Sequence, residues 1–249
     1  MPWDPRRIVG ETGDEPTGLE RPRGCLVTGT DTGVGKTVVT AAIVARLREQ
    51  GRRVRAVKPL ITGLDERPDP EWPRDHELLA RVSGQAAADT MLYGFGPPVS
   101  PHLAAELAGV RLPSSRALAV EIRAGTPAGS LLVVEGIGGL LVPISRKATV
   151  RDLAVALELP LIVAARPGLG TINHTLLTLE AAAAAELRVA GIVMTPWPDE
   201  PDEMLRSNRE TIERLRRIPV AGLPFVSCAQ PGPLAAAGAS LPLRRWLGI

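Results

Sequence analysis

Of the 29 basic residues in the chain only three are lysines, Lys36, Lys58 and Lys147. A compact ammonium and a planar guanidinium do different chemistry, so the few places where this arginine-rich chain keeps lysine are candidates for a role. Lys36 lies in "VTGTDTGVGKTVV", Val27 to Val39, where a glycine-rich run closes on Gly35-Lys36-Thr37. Backbone N–H groups in such a run hold phosphate oxygens, the lysine reaches the β and γ phosphates, and the threonine hydroxyl takes a place on Mg²⁺. The spacing departs from the common pattern by one residue, since five residues, not four, separate Gly29 from Gly35. A turn that merely joins a strand to a helix is the plain alternative.

Lys58 stands in "AVKPLITG" at the end of an apolar run that Pro59 is expected to terminate, because proline cannot donate to a ladder. A solvated charge at a strand end is the other reading. Thr62, four residues on, could donate to a phosphate or accept from an amine, and fits an ordinary turn equally well. Glu135 closes the apolar stretch of "SLLVVEGIGG". A buried carboxylate is costly without a cation beside it, so a metal or an ion pair is expected there. Asp75 opens "DHELLARVSG", where capping a helix is the stronger local reading and is compatible with metal binding through an outward oxygen. His102 and His174 have no second ligand at metal-binding spacing, and the three histidines form no recognisable hydrolase triad. Asn173, one of two asparagines in the chain, follows "ARPGLGT" near a helix start and could offer its amide to an anion.

The elements that must position these groups alternate in type. "CLVTGT" reads as a strand, "GKTVVTAAIVARLREQG" as a helix and "RRVRAVKPL" as a strand. "DHELLARVSG" and "SSRALAVEIRAG" read as helices, and "SLLVVEGIGG" and "LPLIVAARPG" as buried strands. A long helix over "TINHTLLTLEAAAAAELR", a strand over "VAGIVMT", a helix over "PDEMLRSNRETIERLRR" and a strand over "IPVAGLPF" complete the series. Strands alternating with helices predict a single α/β domain, with a mainly parallel sheet flanked by helices on both faces. Ligands bind such sheets at the carboxyl ends of the strands. Residues 1–23, rich in Pro, Gly and charge, are expected to be a flexible extension, and residues 24–249 the folded domain.

A net charge of +2, without basic runs interleaved with aromatics, argues against nucleic acid as a partner. No apolar run reaches membrane-spanning length and the N-terminal stretch lacks a signal-like apolar core, so a soluble, cytoplasmic protein is expected. Cys25 and Cys228 are too few and too far apart to suggest a metal site, and are expected to be plain thiols.

Taken together, "GTDTGVGKT", "VKPLITG", "SPHLAAE", "VEGIGGLLVPI" and "GLGTINHTLLTLEA" resemble the dethiobiotin synthetase family, in order and over most of the chain from about Cys25 to Pro224. The family's phosphate loop has the same extra residue. The resemblance implies a P-loop NTPase-like fold and an ATP- and Mg²⁺-dependent carboxylase. Such an enzyme closes a ureido ring on 7,8-diaminopelargonic acid with CO₂, through a carbamate and a carbamic–phosphoric anhydride, giving dethiobiotin, ADP and phosphate. It further implies a homodimer with substrate bound across the interface. By family correspondence Thr32, Lys36 and Lys58 are catalytic. Gly33, Val34, Gly35, Lys36, Thr37, Val38 and Glu135 bind the nucleotide, and Thr37, Asp75 and Glu135 hold the metal. Thr62, Gly170, Thr171 and Asn173 bind the substrate. Gly33 stands where some relatives carry glutamate, and Thr195-Pro196-Trp197 where many carry an asparagine that reads the base, which opens the choice of nucleotide. Leu60 and Ile61 fall where the family varies. A regulatory ATPase that switches a protein partner is the competing class. Asp31, standing where those proteins carry a second loop lysine, argues against it.

Overall fold

The computed structural model describes residues 23–67, 69 and 72–249. The expected N-terminal extension therefore lies outside the described residues except for Arg23, whose guanidinium donates to the carbonyl of Gly248. The strands in chain order are β1 (Gly24–Gly29), β2 (Val54–Ile61), β3 (Met91–Gly94), β4 (Leu131–Gly139), β5 (Pro143–Ser145), β6 (Ala148–Thr149), β7 (Leu161–Ala165), β8 (Val189–Trp197) and β9 (Val220–Pro224). Seven of them form one sheet in the order β3-β2-β4-β1-β7-β8-β9, and every neighbouring pair is parallel. β5 and β6 form a separate antiparallel pair.

The helices among the described residues are α1 (Lys36–Glu49), α2 (Asp75–Ser83), α3 (Ala87–Thr90), α4 (Pro101–Leu107), α5 (Ser115–Ala124), α6 (Val150–Leu157), α7 (Thr171–Ala183) and α8 (Glu203–Arg216), with α9 (Pro231–Gly238) and α10 (Leu243–Leu247) following the last strand. Successive strand residues point to opposite faces, and the core divides accordingly. Cys25, Val27, Val54, Ala56 and Val133 pack beneath α1, α2, α9 and α10. Leu26, Val57, Leu132 and Val134 pack beneath α5, α6 and α7. A third cluster joins Val163, Ile192 and Met194 to Leu179 of α7 and Ile212 of α8. Both faces of the sheet are thus covered, which explains why its central strands read as unbroken apolar runs.

This alternation places the candidate residues. Lys58 shares the parity of Val54 and Ala56, and Glu135 that of Val133, so both belong to the α1 and α2 face. No helix among the described residues is long and apolar enough to cross a membrane.

Two sequence expectations need correction here. β2 does not stop at Pro59 but runs on to Ile61, pairing Lys58, Leu60 and Ile61 with β3. Its ladder with β4 has already ended at Val57, so the missing proline N–H interrupts no pairing there. The alanine-rich helix α7 ends at Ala183, short of the Leu187-Arg188 expected from composition. The backbone turns out through Glu186 at φ 54 and Leu187 N–H closes onto the carbonyl of Ala182.

Candidate functional site

The loop between β1 and α1 is shaped by two glycines in left-handed conformations, Gly33 at φ 71 and Gly35 at φ 88. Gly35 is the residue before α1, and a Cβ there would lie 2.6 Å from Thr195 Cγ2, so both the backbone angle and the neighbouring strand β8 demand glycine. Val34 between them is buried in the α1-side core and anchors the loop from below. Thr30 N–H donates to the Ala164 carbonyl of β7 at 3.0 Å, fixing the start of the loop to the adjacent strand. The N-terminus of α1 has no side-chain cap, so its first N–H groups are free for an anion. Lys36 Nζ reaches across the loop to the carbonyl of Asp31 at 2.8 Å. Val38 sits half-buried on the first turn of α1 beside Thr37.

Four residues distant in sequence meet beside this loop. Thr37 Oγ1 donates to Glu135 Oε1 at 2.8 Å. Lys58 Nζ donates to the same Glu135 oxygen at 2.5 Å and to Asp75 Oδ2 at 2.5 Å. Lys58 is 3% exposed and Glu135 is wholly buried, whereas the Asp75 side chain retains 40% exposure. The second oxygen of Glu135, Oε2, is buried without a hydrogen-bond partner. Such an orphan is unusual enough to need a physical account, and a cation is the natural partner for it.

Burial sets the electrostatics of the cluster. It pushes the Glu135 carboxyl up, against the pull of Lys58, and the charge of Asp75 adds to the rise. Burial alone would lower the pKa of Lys58, but the charges and hydrogen bonds of Glu135 and Asp75 more than offset it, and the ammonium is held charged above its ordinary value. Asp75 is likewise opposed by its burial, yet Lys58 and the hydroxyl of Thr37 hold it below the usual carboxylate value. Lys36 is lowered to about 8, first by burial and also by the neighbouring Lys58 charge, with Glu135 opposing.

Asp75 does not cap its helix. The residue before α2 is Arg74, the carboxylate of Glu77 accepts from Arg74 N–H, and Asp75 is the first helical residue with its side chain turned to Lys58. Local pattern favoured a cap because it could not register a lysine seventeen positions earlier in the chain. Thr32 is exposed on the loop, its N–H bonded to Asp31 Oδ1, and Thr62 follows β2 directly. Gly170, at φ 89, precedes α7, with Thr171 buried behind it and Asn173 exposed on the first turn. These last three stand at the end of β7 on the α7 side of the sheet, away from the Lys58 cluster. A cavity of about 390 Å³ lies between the loop and α7, lined by Thr30, Asp31, the Gly139 to Pro143 segment, His174, Leu177, Thr178 and Ala181. Its lining from α7 and from Leu140 to Pro143 falls within the quoted stretches "GLGTINHTLLTLEA" and "VEGIGGLLVPI", but no site role was assigned to these residues in the sequence, since apolar residues in a loop carry no local sign of forming a wall.

A parallel sheet with a glycine-rich anion loop at the carboxyl edge of its central strand, and a buried cation–carboxylate cluster beside it, defines a nucleotide-binding protein of the phosphate-loop class. The family model described as "AAA domain" matches residues 23–226. The chain is 44% identical over 209 residues to the ATP-dependent dethiobiotin synthetase BioD of Mycobacterium avium (strain 104), covering 82% of this chain and 90% of the relative. It is 38% identical over 204 residues to the protein of the same description from Bacillus subtilis (strain 168), covering 81% and 86%. The chain belongs to the ATP-dependent dethiobiotin synthetase family. In fold it is similar to cobyrinic acid a,c-diamide synthase from Mycobacterium smegmatis, solved with ADP and magnesium, at a TM-score of 0.53 and 19% identity over 90% of this chain and 95% of that one.

Proposed function

We infer that the protein carries out ATP-dependent formation of dethiobiotin, joining CO₂ to the two amines of 7,8-diaminopelargonic acid and releasing ADP and phosphate. The observation that carries this reading is the convergence of Thr37, Lys58, Asp75 and Glu135 beside the phosphate loop, in a chain whose relatives bear that activity. One substrate amine adds to CO₂ and loses a proton, giving a carbamate. The carbamate oxygen attacks the γ-phosphorus and ADP departs. The second amine then attacks the carbonyl of the mixed anhydride, and phosphate leaves as the ring closes.

Negative charge builds on the carbamate and on the phosphoryl oxygens through these steps. Fixed cations aimed at it stabilise the transition states most. Lys36 lies at the loop for the phosphates, and Lys58, buried beside it, gives two of its three N–H groups to Glu135 and Asp75 and keeps one for the carbamate. Thr32, on the exposed rim of the loop, is assigned to the phosphoryl group, and Thr62, just past β2, to the reacting amine end. Holding two amines and the carbamate in register supplies much of the remaining acceleration.

Two carboxylates and a hydroxyl, one carboxylate oxygen lacking any partner, suit a hard divalent cation that completes its shell with water and phosphate oxygens. Thr37, Asp75 and Glu135 would hold Mg²⁺, which when bound neutralises the phosphate charge. The segment Gly170, Thr171 and Asn173 is suited to a substrate carboxylate, through the N-terminus of α7 and the Asn173 amide. Its separation from Lys58 across the sheet supports a homodimer in which one subunit binds the carboxylate while its partner supplies the reacting centre. Leu141, Leu169 and Leu177, large apolar side chains exposed near that segment, support the same assembly. A cytoplasmic setting fits these substrates. Thr195-Pro196-Trp197, at the end of β8, replaces the usual base-reading asparagine, and a relaxed choice of nucleoside triphosphate follows.

The deciding experiment measures phosphate release from purified protein with MgATP while bicarbonate and the diamine are omitted in turn. Release is expected to require both. Equal release without the diamine would falsify the synthetase reading and favour a switching ATPase.

A further inference from the structure

We propose that Arg166 is a further phosphate-binding residue, for which Gly33 makes room. The placement follows from the sheet. β7 lies beside β1 in parallel register, with Gly29 opposite Ala164, so the residue two beyond Ala164 emerges alongside the loop. Arg166 Nη2 donates to the carbonyl of Gly33 at 3.3 Å. A Cβ built on Gly33 would also lie 3.3 Å from that nitrogen, a tight contact, so glycine at position 33 lets the guanidinium lie against the loop backbone without having to shift.

Charge balance gives the guanidinium its use. Lys58 is matched by Glu135 and Asp75, and Lys36 adds one positive charge against the nearby exposed Asp31. Summed over these five side chains, two cations face three carboxylates, so the side chains of the cluster carry no net positive charge of their own toward a polyphosphate. Arg166 is exposed, and among the described residues its guanidinium makes the one long hydrogen bond to Gly33. Four of the five guanidinium donors remain for a ligand, in a fork whose geometry matches phosphate oxygens. Near the end of β8, Arg206 donates to the carbonyl of Pro201, and Arg209 is engaged as well. It lies 5.7 Å over the Trp197 ring and pairs with Glu213.

This inference rests on the nucleotide-binding part of the proposed function and not on the identity of the acceptor. The test is direct binding of MgATP to the full chain by titration calorimetry, comparing wild type with Arg166→Met, Arg166→Gln and Arg166→Lys. Loss of a charge-assisted phosphate contact predicts weakening by about tenfold or more for Met and Gln. Arg166→Lys, which keeps the charge and loses the fork, should recover part of it. The affinity lost in Arg166→Met should shrink as salt is raised, because the missing contact is electrostatic. A merely structural role would lower the unfolding midpoint and would not distinguish Lys from Met in this salt-dependent way. Binding by Arg166→Met and Arg166→Gln within about twofold of wild type would overturn the proposal, being far below what a charged hydrogen bond contributes. Wild-type binding without diamine-dependent phosphate release would sink the synthetase reading while leaving this comparison intact.

Discussion

Replacing Lys58 by methionine removes the cation that touches both Glu135 and Asp75 while keeping most of the side-chain volume. Glu135 then keeps only the Thr37 hydroxyl, in a place with no access to water. Breaking a buried pair by removing one partner costs about 3–5 kcal/mol, because an uncompensated charge stays behind. Asp75, being part-exposed, relaxes toward solvent and adds little to that figure. The substitution should therefore lower unfolding free energy in urea by about 3 kcal/mol or more near neutral pH.

The pH dependence carries the finer test. Glu135 already has a raised pKa in the folded state, and loss of Lys58 raises it further. A group whose folded pKa exceeds its unfolded value favours the fold most below the unfolded pKa, and that contribution is lost as pH rises through the folded pKa. The deficit of Lys58→Met relative to wild type should accordingly be smaller near pH 5 and larger near pH 8. Adding Glu135→Gln to Lys58→Met removes the stranded charge and should restore part of the lost stability, with the two changes strongly non-additive. A Lys58→Met variant within about 1 kcal/mol of wild type at neutral pH, or a simply additive double variant, would refute the buried-pair reasoning.

Two further outcomes are expected. Lys36, with its pKa lowered to about 8, should lose its proton as pH rises past that value, so kcat/KM for the nucleotide should fall on the alkaline side. The stability effect has the opposite sign. The depressed pKa favours the fold above the unfolded value near 10.5, and that contribution is lost as pH falls through about 8. A flat kcat/KM between pH 7 and pH 9.5 would contradict the assignment. Gly35→Ala should destabilise the fold by about 1–2 kcal/mol from the left-handed backbone alone, with more from the contact to Thr195 Cγ2. Thr195→Ser removes that methyl, so the double variant should recover the steric part of the melting shift and keep the backbone part; no recovery would mean that the methyl is not the obstacle.

By itself the sequence determined the alternation of elements and the site's chemical inventory. Continuous apolar runs such as "LLVV" and "LIVAA" could only be strands covered on both faces, and they form the central strands of the sheet. The glycines, Lys36 and Thr37 were legible because strand, loop and helix start are contiguous, so their geometry is local. Short elements were less legible. β3 is four residues at the sheet edge, and α9 begins Pro231-Gly232-Pro233, a composition that reads as loop until its packing on α1 is known. α6 is an eight-residue helix between two strands, with too few turns to show a period.

What tertiary structure decided was pairing. A period of two puts Lys58 and Glu135 on some face of their strands, but only the sheet order β2-β4-β1 makes that the same face, one strand apart. Only the docking of α2 on that face turns Asp75 from a prospective cap into a partner of Lys58. The same holds for Gly33. In sequence it was a loop glycine where some relatives carry glutamate, with no side-chain role to assign, whereas in the fold the strand beside the loop brings Arg166 against it. Such contacts join residues far apart in the chain, and their energies depend on burial, which no local pattern of residue types records.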